Sequence, residues 1–371
     1  MHSAELAALN AWVLSAGFLL SFLFGALVQR SHFCTMGALS DAFNIGDWTR
    51  MRQWALAIGV AMIGFALMVY LGAVDPAKTI HASTRWFWLS ALVGGGLFGF
   101  GMVLAAGCGS KTLVRIGGGN LRSLVVMLVM GLAAFITLKG LTAVLRVATV
   151  DQVAIEFPTL ANLPHLLAWA SGLRPTLAAL ILGLSIGLGL VGWALRGEDF
   201  RRADNLLAGL GVGALVTAMW WVSAYLGHVP EHPETLGEVF LATNSGRAEA
   251  MSFVAPVAYA MDWLMYFSDS NKRLTLGVVS VAGVIAGSAV MALWRGSFRW
   301  EAFGGTEDMA NHLVGAVLMG VGGVTALGCT IGQGLSGLST LGLTSVVATA
   351  AIACGAILAF KYQMWRIERM V

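Results

Sequence analysis

Val93-Gly94-Gly95-Gly96-Leu97-Phe98-Gly99-Phe100-Gly101 is the stretch whose reading decides the fold. It is apolar and uncharged, and its closely spaced glycines let neighbouring helices approach its backbone. Laid without a gap on Val314-Gly315-Ala316-Val317-Leu318-Met319-Gly320-Val321-Gly322, it superposes Cys108 on Cys329. Gly94, Gly99, Gly101 and Gly107 then coincide with Gly315, Gly320, Gly322 and Gly328. Gly25 precedes Cys34 by the spacing that separates Gly99 from Cys108, so the unit occurs three times with a thiol. A fourth copy would start at Gly209 and put Ala218 in the cysteine's place.

The wider composition fits a chain dissolved in lipid. Of 371 residues, 58% are hydrophobic and 11% charged, and apolar runs of about 20 residues recur, the length that crosses about 30 Å of hydrocarbon. The expected class is an all-α integral membrane protein in contact with the lipid bilayer. About nine spans are predicted, over residues 11–29, 53–73, 88–106, 123–145, 175–195, 205–227, 275–294, 310–327 and 341–361. The net charge of +3 is small and lies in loops; it gives no support to nucleic-acid binding and bears instead on orientation. The first apolar stretch, 11–28, has no preceding Lys or Arg and is followed by Arg30, which predicts a retained helix with its N-terminus outside. With that orientation most of the 22 Lys and Arg, among them Arg50, Arg52, Arg115, Arg122, Arg201, Arg295 and Arg366, fall on the inner side, and the C-terminus is cytoplasmic.

Four pieces are too short to cross: 33–44, 108–118, 328–340 and 253–267. Half-length, glycine-rich segments beside full helices predict broken or re-entrant helices around a protein-lined cavity. Residues 1–371 read as one transmembrane domain, with a first repeat over 11–145 and a second, inverted repeat over 205–361, joined by the helix 175–195.

The chemistry concentrates at the cysteines. The first block is Gln29-Arg30-Ser31-His32-Phe33-Cys34-Thr35-Met36-Gly37, the second Gly107-Cys108-Gly109-Ser110-Lys111-Thr112, and the third Gly328-Cys329-Thr330-Ile331-Gly332-Gln333. In each, a long helix ends and a short one begins, which predicts a thiol beside free backbone N–H groups, an arrangement that attracts anions. Cys34, Cys108 and Cys329 are the candidate pathway residues, with Gly107, Gly109, Lys111, Gly328 and Thr330 in support. Cys354 lies in the last helix outside any repeat motif and is read as structural. There is no CxxC and no zinc-like spacing, so no cofactor, metal site or catalytic residue is assigned. A soft-metal route through His32 and the 17 methionines is the weaker reading, because His32 aligns with Ala106 and Leu327. Trp86, Trp88, Trp220, Trp221 and Trp300 read as interfacial residues, and His228, Glu231, His232 and Glu234 as a solvated outer loop.

These blocks, with Gly101-Met102-Val103-Leu104-Ala105-Ala106-Gly107-Cys108 and Ala326-Leu327-Gly328-Cys329-Thr330-Ile331-Gly332, resemble the YeeE/YedE family of membrane proteins, the sulfur-transport domain family, over nearly the whole chain. The resemblance implies an hourglass-shaped, pseudo-symmetric transporter of the bacterial inner membrane that takes up thiosulfate. It also implies work alongside a cytoplasmic sulfur-carrier or sulfurtransferase protein, and three route-lining cysteines that match Cys34, Cys108 and Cys329. Other sulfur or selenium species are the alternative cargo.

Thiosulfate is a dianion with a soft terminal sulfur, and neutral thiols are weak, soft donors that can pass it on without trapping it. The expected mechanism is a relay between the three thiols, with exit near Lys111 and no covalent bond. The alternative is a membrane sulfurtransferase in which a thiolate takes up sulfur as a persulfide. A passive pore is the third class, and it would make the thiols replaceable.

Overall fold

The structure, a computed structural model, describes residues 3–233, 236–269 and 272–369. Glu234 lies outside them. Fourteen α-helices follow in order: α1 (Ser3–Ser31), α2 (Thr35–Ser40), α3 (Thr49–Tyr70), α4 (Trp88–Leu104), α5 (Gly109–Gly117), α6 (Leu121–Lys139), α7 (Leu141–Ala148), α8 (Leu163–Ser171), α9 (Pro175–Leu195), α10 (Ala203–Trp221), α11 (Ala255–Met265), α12 (Leu276–Trp294), α13 (Thr306–Thr325) and α14 (Leu343–Glu368). Between α13 and α14 a further short helix is wound as a π-helix over Gly332–Gly337. Strand pairing among the described residues is confined to two two-residue pairs, Arg85–Trp86 with Ile155–Glu156 and His228–Val229 with Val239–Phe240, and three single bridges. This is an all-α membrane protein.

Eight helices among the described residues are long and apolar enough to cross a bilayer: α1, α3, α4, α6, α9, α10, α12 and α14. The span expected at 310–327 corresponds to α13. It has 20 residues but opens on Thr306-Glu307-Asp308 and carries Asn311 and His312, so it is less apolar than the other eight. It packs against α4 and α6, and His312 Nδ1–H donates to the Asp308 carbonyl within its own turn (2.7 Å). The four short pieces take the form of short helices: α2 with a π-turn over Asp41–Ile45, α5, α11, and the segment after Cys329.

The glycines of the opening stretch set the helix spacing. A Cβ on Gly94 would sit 2.4 Å from the Ala326 nitrogen, one on Gly101 2.6 Å from the Gly315 carbonyl, and one on Gly322 2.5 Å from the Phe98 nitrogen, so α4 and α13 touch backbone to backbone. Gly99 makes the same approach to the Ile352 carbonyl of α14 (2.0 Å), and Gly320 to the Met130 carbonyl of α6 (2.5 Å). Small residues permit this contact, which is where van der Waals packing between helices in lipid is strongest. Elsewhere α1 packs on α12 and α10, and α3 packs on α10 and α9.

Charged pairs gather at the two ends of the bundle. At one, Arg30 pairs with Asp204 (3.2 Å), Arg122 with Glu301 (3.1 Å) and Arg366 with Glu307 (3.0 Å). At the other, Lys78 pairs with Glu238 (2.5 Å), Arg146 with Asp151 (3.0 Å) and Lys272 with Asp262. His228 also joins Glu238 (2.5 Å). The tryptophan belt needs one correction. Trp220 is fully buried and its Nε1 donates to Ser339 Oγ (3.1 Å), whereas Trp221, about 100° round the same helix, is exposed.

Candidate functional site

Each thiol sits just beyond a helix stopped in the same way. The residue two places before the cysteine is left-handed in all three blocks: His32 at φ 54°, Ala106 at φ 53° and Leu327 at φ 60°. None of the three is glycine, so each break holds a conformation that disfavours a side chain by about 1–2 kcal/mol. At Ala106 and Leu327 the closure is identical. Ala106 N–H donates to the Val103 carbonyl (3.1 Å) and Gly107 N–H to Met102 (2.8 Å), while Leu327 N–H donates to Val324 (3.0 Å) and Gly328 N–H to Gly323 (2.8 Å). This is the paired closure that ends a helix in a left-handed residue. The alignment of His32, Ala106 and Leu327 therefore marks a shared backbone bend.

The chain then restarts on the cysteine. Cys34 caps α2, its Sγ accepting the Gly37 N–H (3.4 Å), and Cys329 Sγ accepts the Gly332 N–H (3.5 Å) in the same relation. Cys108 caps α5 with its carbonyl, which accepts from Thr112 N–H (2.9 Å), while its Sγ lies 3.4 Å from Ser110 Oγ. Cys34, Cys108 and Cys329 are buried at 8, 1 and 0% exposure; Cys354 is exposed on α14. The Cys34 and Cys108 thiols face each other. Lys111, half-buried one turn into α5, points its charge toward both. Gly107 lies against the Lys111 stem and Gly109 against the Phe253 carbonyl.

Ala218 lies inside the unbroken helix α10, so the fourth break is not there. A comparable restart occurs at Val254, which precedes α11, with Phe253 buried beside it. No thiol and no left-handed residue two places upstream accompany it.

Hydroxyl groups complete the lining. Thr330 is 2% exposed and its hydroxyl faces the Cys108 thiol, with no oxygen or nitrogen partner of its own. Thr35 Oγ1, next to Cys34, is buried and unpartnered as well. Buried hydroxyls ordinarily find partners, so Thr330 next to Cys108 is the hydroxyl to test. We expect Thr330→Val to lower uptake of the transported anion about tenfold, the value of one hydrogen bond to a charged group. Folding should be unimpaired, checked by the monodispersity of the purified protein.

Above Cys329 opens a cavity of about 380 Å³. Its wall includes Ser252, whose Oγ is 4.0 Å from Cys329 Sγ, and Gln333, whose Nε2 donates to the Ala326 carbonyl (2.7 Å) while its Oε1 accepts from Ser345 (2.6 Å). Ser252 and the structural part played by Gln333 were not legible in the sequence. Ser252 lies in a stretch without repeat register, and nothing in its neighbours marks it.

These elements define a class: a polytopic membrane protein whose interior helix breaks carry buried thiols beneath an open cavity, the build of a carrier for a small solute. The chain belongs to the sulphur transport family, which it matches over residues 30–358. It is similar to the thiosulfate transporter TsuA of Spirochaeta thermophila, 26% identical over 345 residues, covering 90% of this chain and 94% of that one. It is also similar to the thiosulfate transporter TsuA of Escherichia coli, 25% identical over 331 residues and 86% of each chain. A probable transporter of E. coli, YedE, is 33% identical over 112 residues, 30% of this chain and 26% of that one.

Proposed function

We propose that this protein takes up thiosulfate across a bacterial inner membrane through Cys34, Cys108 and Cys329. The observation that carries the reading is the coincidence of three buried thiols at equivalent helix breaks with near full-length similarity to two proteins named thiosulfate transporters. The anion enters the cavity beside Ser252, meets Cys329, passes the Thr330 hydroxyl to Cys108 and Cys34, and leaves toward Lys111. Backbone N–H groups at the helix starts offset its charge, and the thiols act as soft donors. Gly107, Gly109 and Gly328 keep the backbone accessible.

The packing supports two inverted repeats. Exchanging α1, α3, α4 and α6 for α10, α12, α13 and α14 turns the α1–α12 contact into α10–α3, and the α4–α14 contact into α13–α6; all four contacts are present. Under that exchange α2 corresponds to α11, which gives Val254 the place of the fourth thiol. The end that holds Arg30, Arg122 and Arg366 is read as cytoplasmic, with the N-terminus outside. A cytoplasmic sulfur-carrier or sulfurtransferase protein receives the anion there.

Uptake of radiolabelled thiosulfate into right-side-out vesicles tests the function. Saturable uptake above vesicles lacking the protein, competed by unlabelled thiosulfate, is the expected result. No uptake above that background, with a sulfur-carrier protein enclosed, would reject thiosulfate as cargo.

A further inference from the structure

The wall of the outer cavity carries a carboxyl group that an anion pathway does not obviously want. Glu249 lines the cavity together with His81, Arg146 and Tyr259. Its position is fixed: its backbone N–H donates to Ser223 Oγ (2.8 Å), and its Oε1 accepts from Ser245 N–H (2.8 Å) and Ser245 Oγ (2.5 Å). The loop that bears it is tied to the loop that bears His81, because Ile80 N–H donates to the Ala248 carbonyl (2.9 Å) and Ala248 N–H to the Lys78 carbonyl (3.0 Å).

The basic groups around it are engaged elsewhere. Arg146 is paired with Asp151 (3.0 Å), Lys78 with Glu238 (2.5 Å), and Arg247 donates to the Ala82 carbonyl (2.8 Å). Burial pushes His81 down to about 4, so its imidazole is neutral at pH 7, and burial raises the Tyr259 phenol, which is neutral as well. Among the described residues no basic side chain pairs with Glu249. Ionised, it sets a negative charge on the wall of a cavity that a dianion must enter, where protein walls make like charges repel more than in bulk water. Protonated, it becomes a neutral group that can donate to the anion.

We infer that Glu249 is the proton-binding group of the outer cavity and that its protonated form is the one that admits the anion. The inference rests on thiosulfate as the cargo and on this cavity as its entrance. Burial favours the required state, raising the Glu249 carboxyl above the usual carboxylate range against the opposing hydrogen bonds from Ser245 and Asn244. The sign follows: entry is fast below the folded pKa and slows as pH rises through it.

The test is radiolabelled thiosulfate uptake into right-side-out vesicles as a function of external pH, for wild type, Glu249→Gln and His81→Gln. Wild-type uptake should fall at least about tenfold between about pH 5 and about pH 8, while Glu249→Gln changes less than about twofold over that range, as expected when a single titrating group is removed. His81→Gln should keep the wild-type slope. A flat wild-type profile, a Glu249→Gln variant that keeps the slope, or a His81→Gln variant that loses it would each overturn the inference while leaving thiosulfate transport in place. Absence of wild-type uptake at every pH would overturn both.

Discussion

Cys108→Ala is expected to reduce thiosulfate uptake by about tenfold to a hundredfold, the loss of one hydrogen-bond donor to a charged ligand in a desolvated site. Cys34→Ala and Cys329→Ala should fall in the same range, and Cys354→Ala should transport like wild type. Cys108 is the informative member because it stands between the other two, facing Cys34 on one side and Thr330 on the other. Alanine removes the donor and leaves a small cavity; it introduces no charge and no new polar group, so the helix break should survive. Serine separates two chemistries. A hydroxyl can still donate to the anion, so in a relay of contacts Cys108→Ser keeps more activity than Cys108→Ala. If the thiolate instead attacks the outer sulfur of thiosulfate, breaking its S–S bond to form a persulfide and release sulfite, serine is as inactive as alanine, and wild-type protein exposed to thiosulfate carries added sulfur mass. Equal, near-wild-type transport by all three alanine variants would remove the thiols from the pathway.

What made this fold legible was its solvent. A chain in lipid must satisfy its backbone within helices, so apolar run length located eight of the nine expected spans, and the four pieces too short to cross became short helices. The spacing from glycine to cysteine located the breaks for a physical reason. Gly94, Gly99 and Gly101 hold α4 against its neighbours, and the helix must then end where Ala106 turns left-handed. Two parts were hidden. The restart at Val254 has no cysteine and follows a long connection from α10, so glycine spacing pointed to Ala218, which is ordinary helix. Ser252 and Glu249 reach the cavity from that same connection, through hydrogen bonds to residues distant in sequence such as Ser223. Local pattern carries no trace of such contacts. Trp220 shows the same limit, since it is buried among residues distant in sequence, Phe65, His81 and Ser339.

Gly99→Ala should unseat the bundle far more than the size of a methyl group suggests. The new Cβ would lie 2.0 Å from the Ile352 carbonyl oxygen, 2.8 Å from its carbon and 3.0 Å from the Ala356 nitrogen, all backbone atoms of α14 that cannot rotate away. The helices can relieve the overlap only by moving apart, but α4 is also seated on α13 through Gly94 and Gly101, and any shift is carried along α4 to Cys108. Overpacking of this kind typically costs about 1–3 kcal/mol, which corresponds to a fall on the order of 5 °C in the midpoint of thermal unfolding. Uptake should fall with it. Gly320→Ala, whose Cβ would meet the Met130 carbonyl at 2.5 Å, should behave alike, because it occupies the matching place on α13. Gly96→Ala is the control: its Cβ points into open space, and alanine favours helix over glycine by about 0.8–1 kcal/mol. A midpoint unchanged in Gly99→Ala would mean that α4 and α14 are not packed as closely as described. A fall in Gly96→Ala as large as in Gly99→Ala would mean that glycine acts here through backbone freedom rather than through close approach.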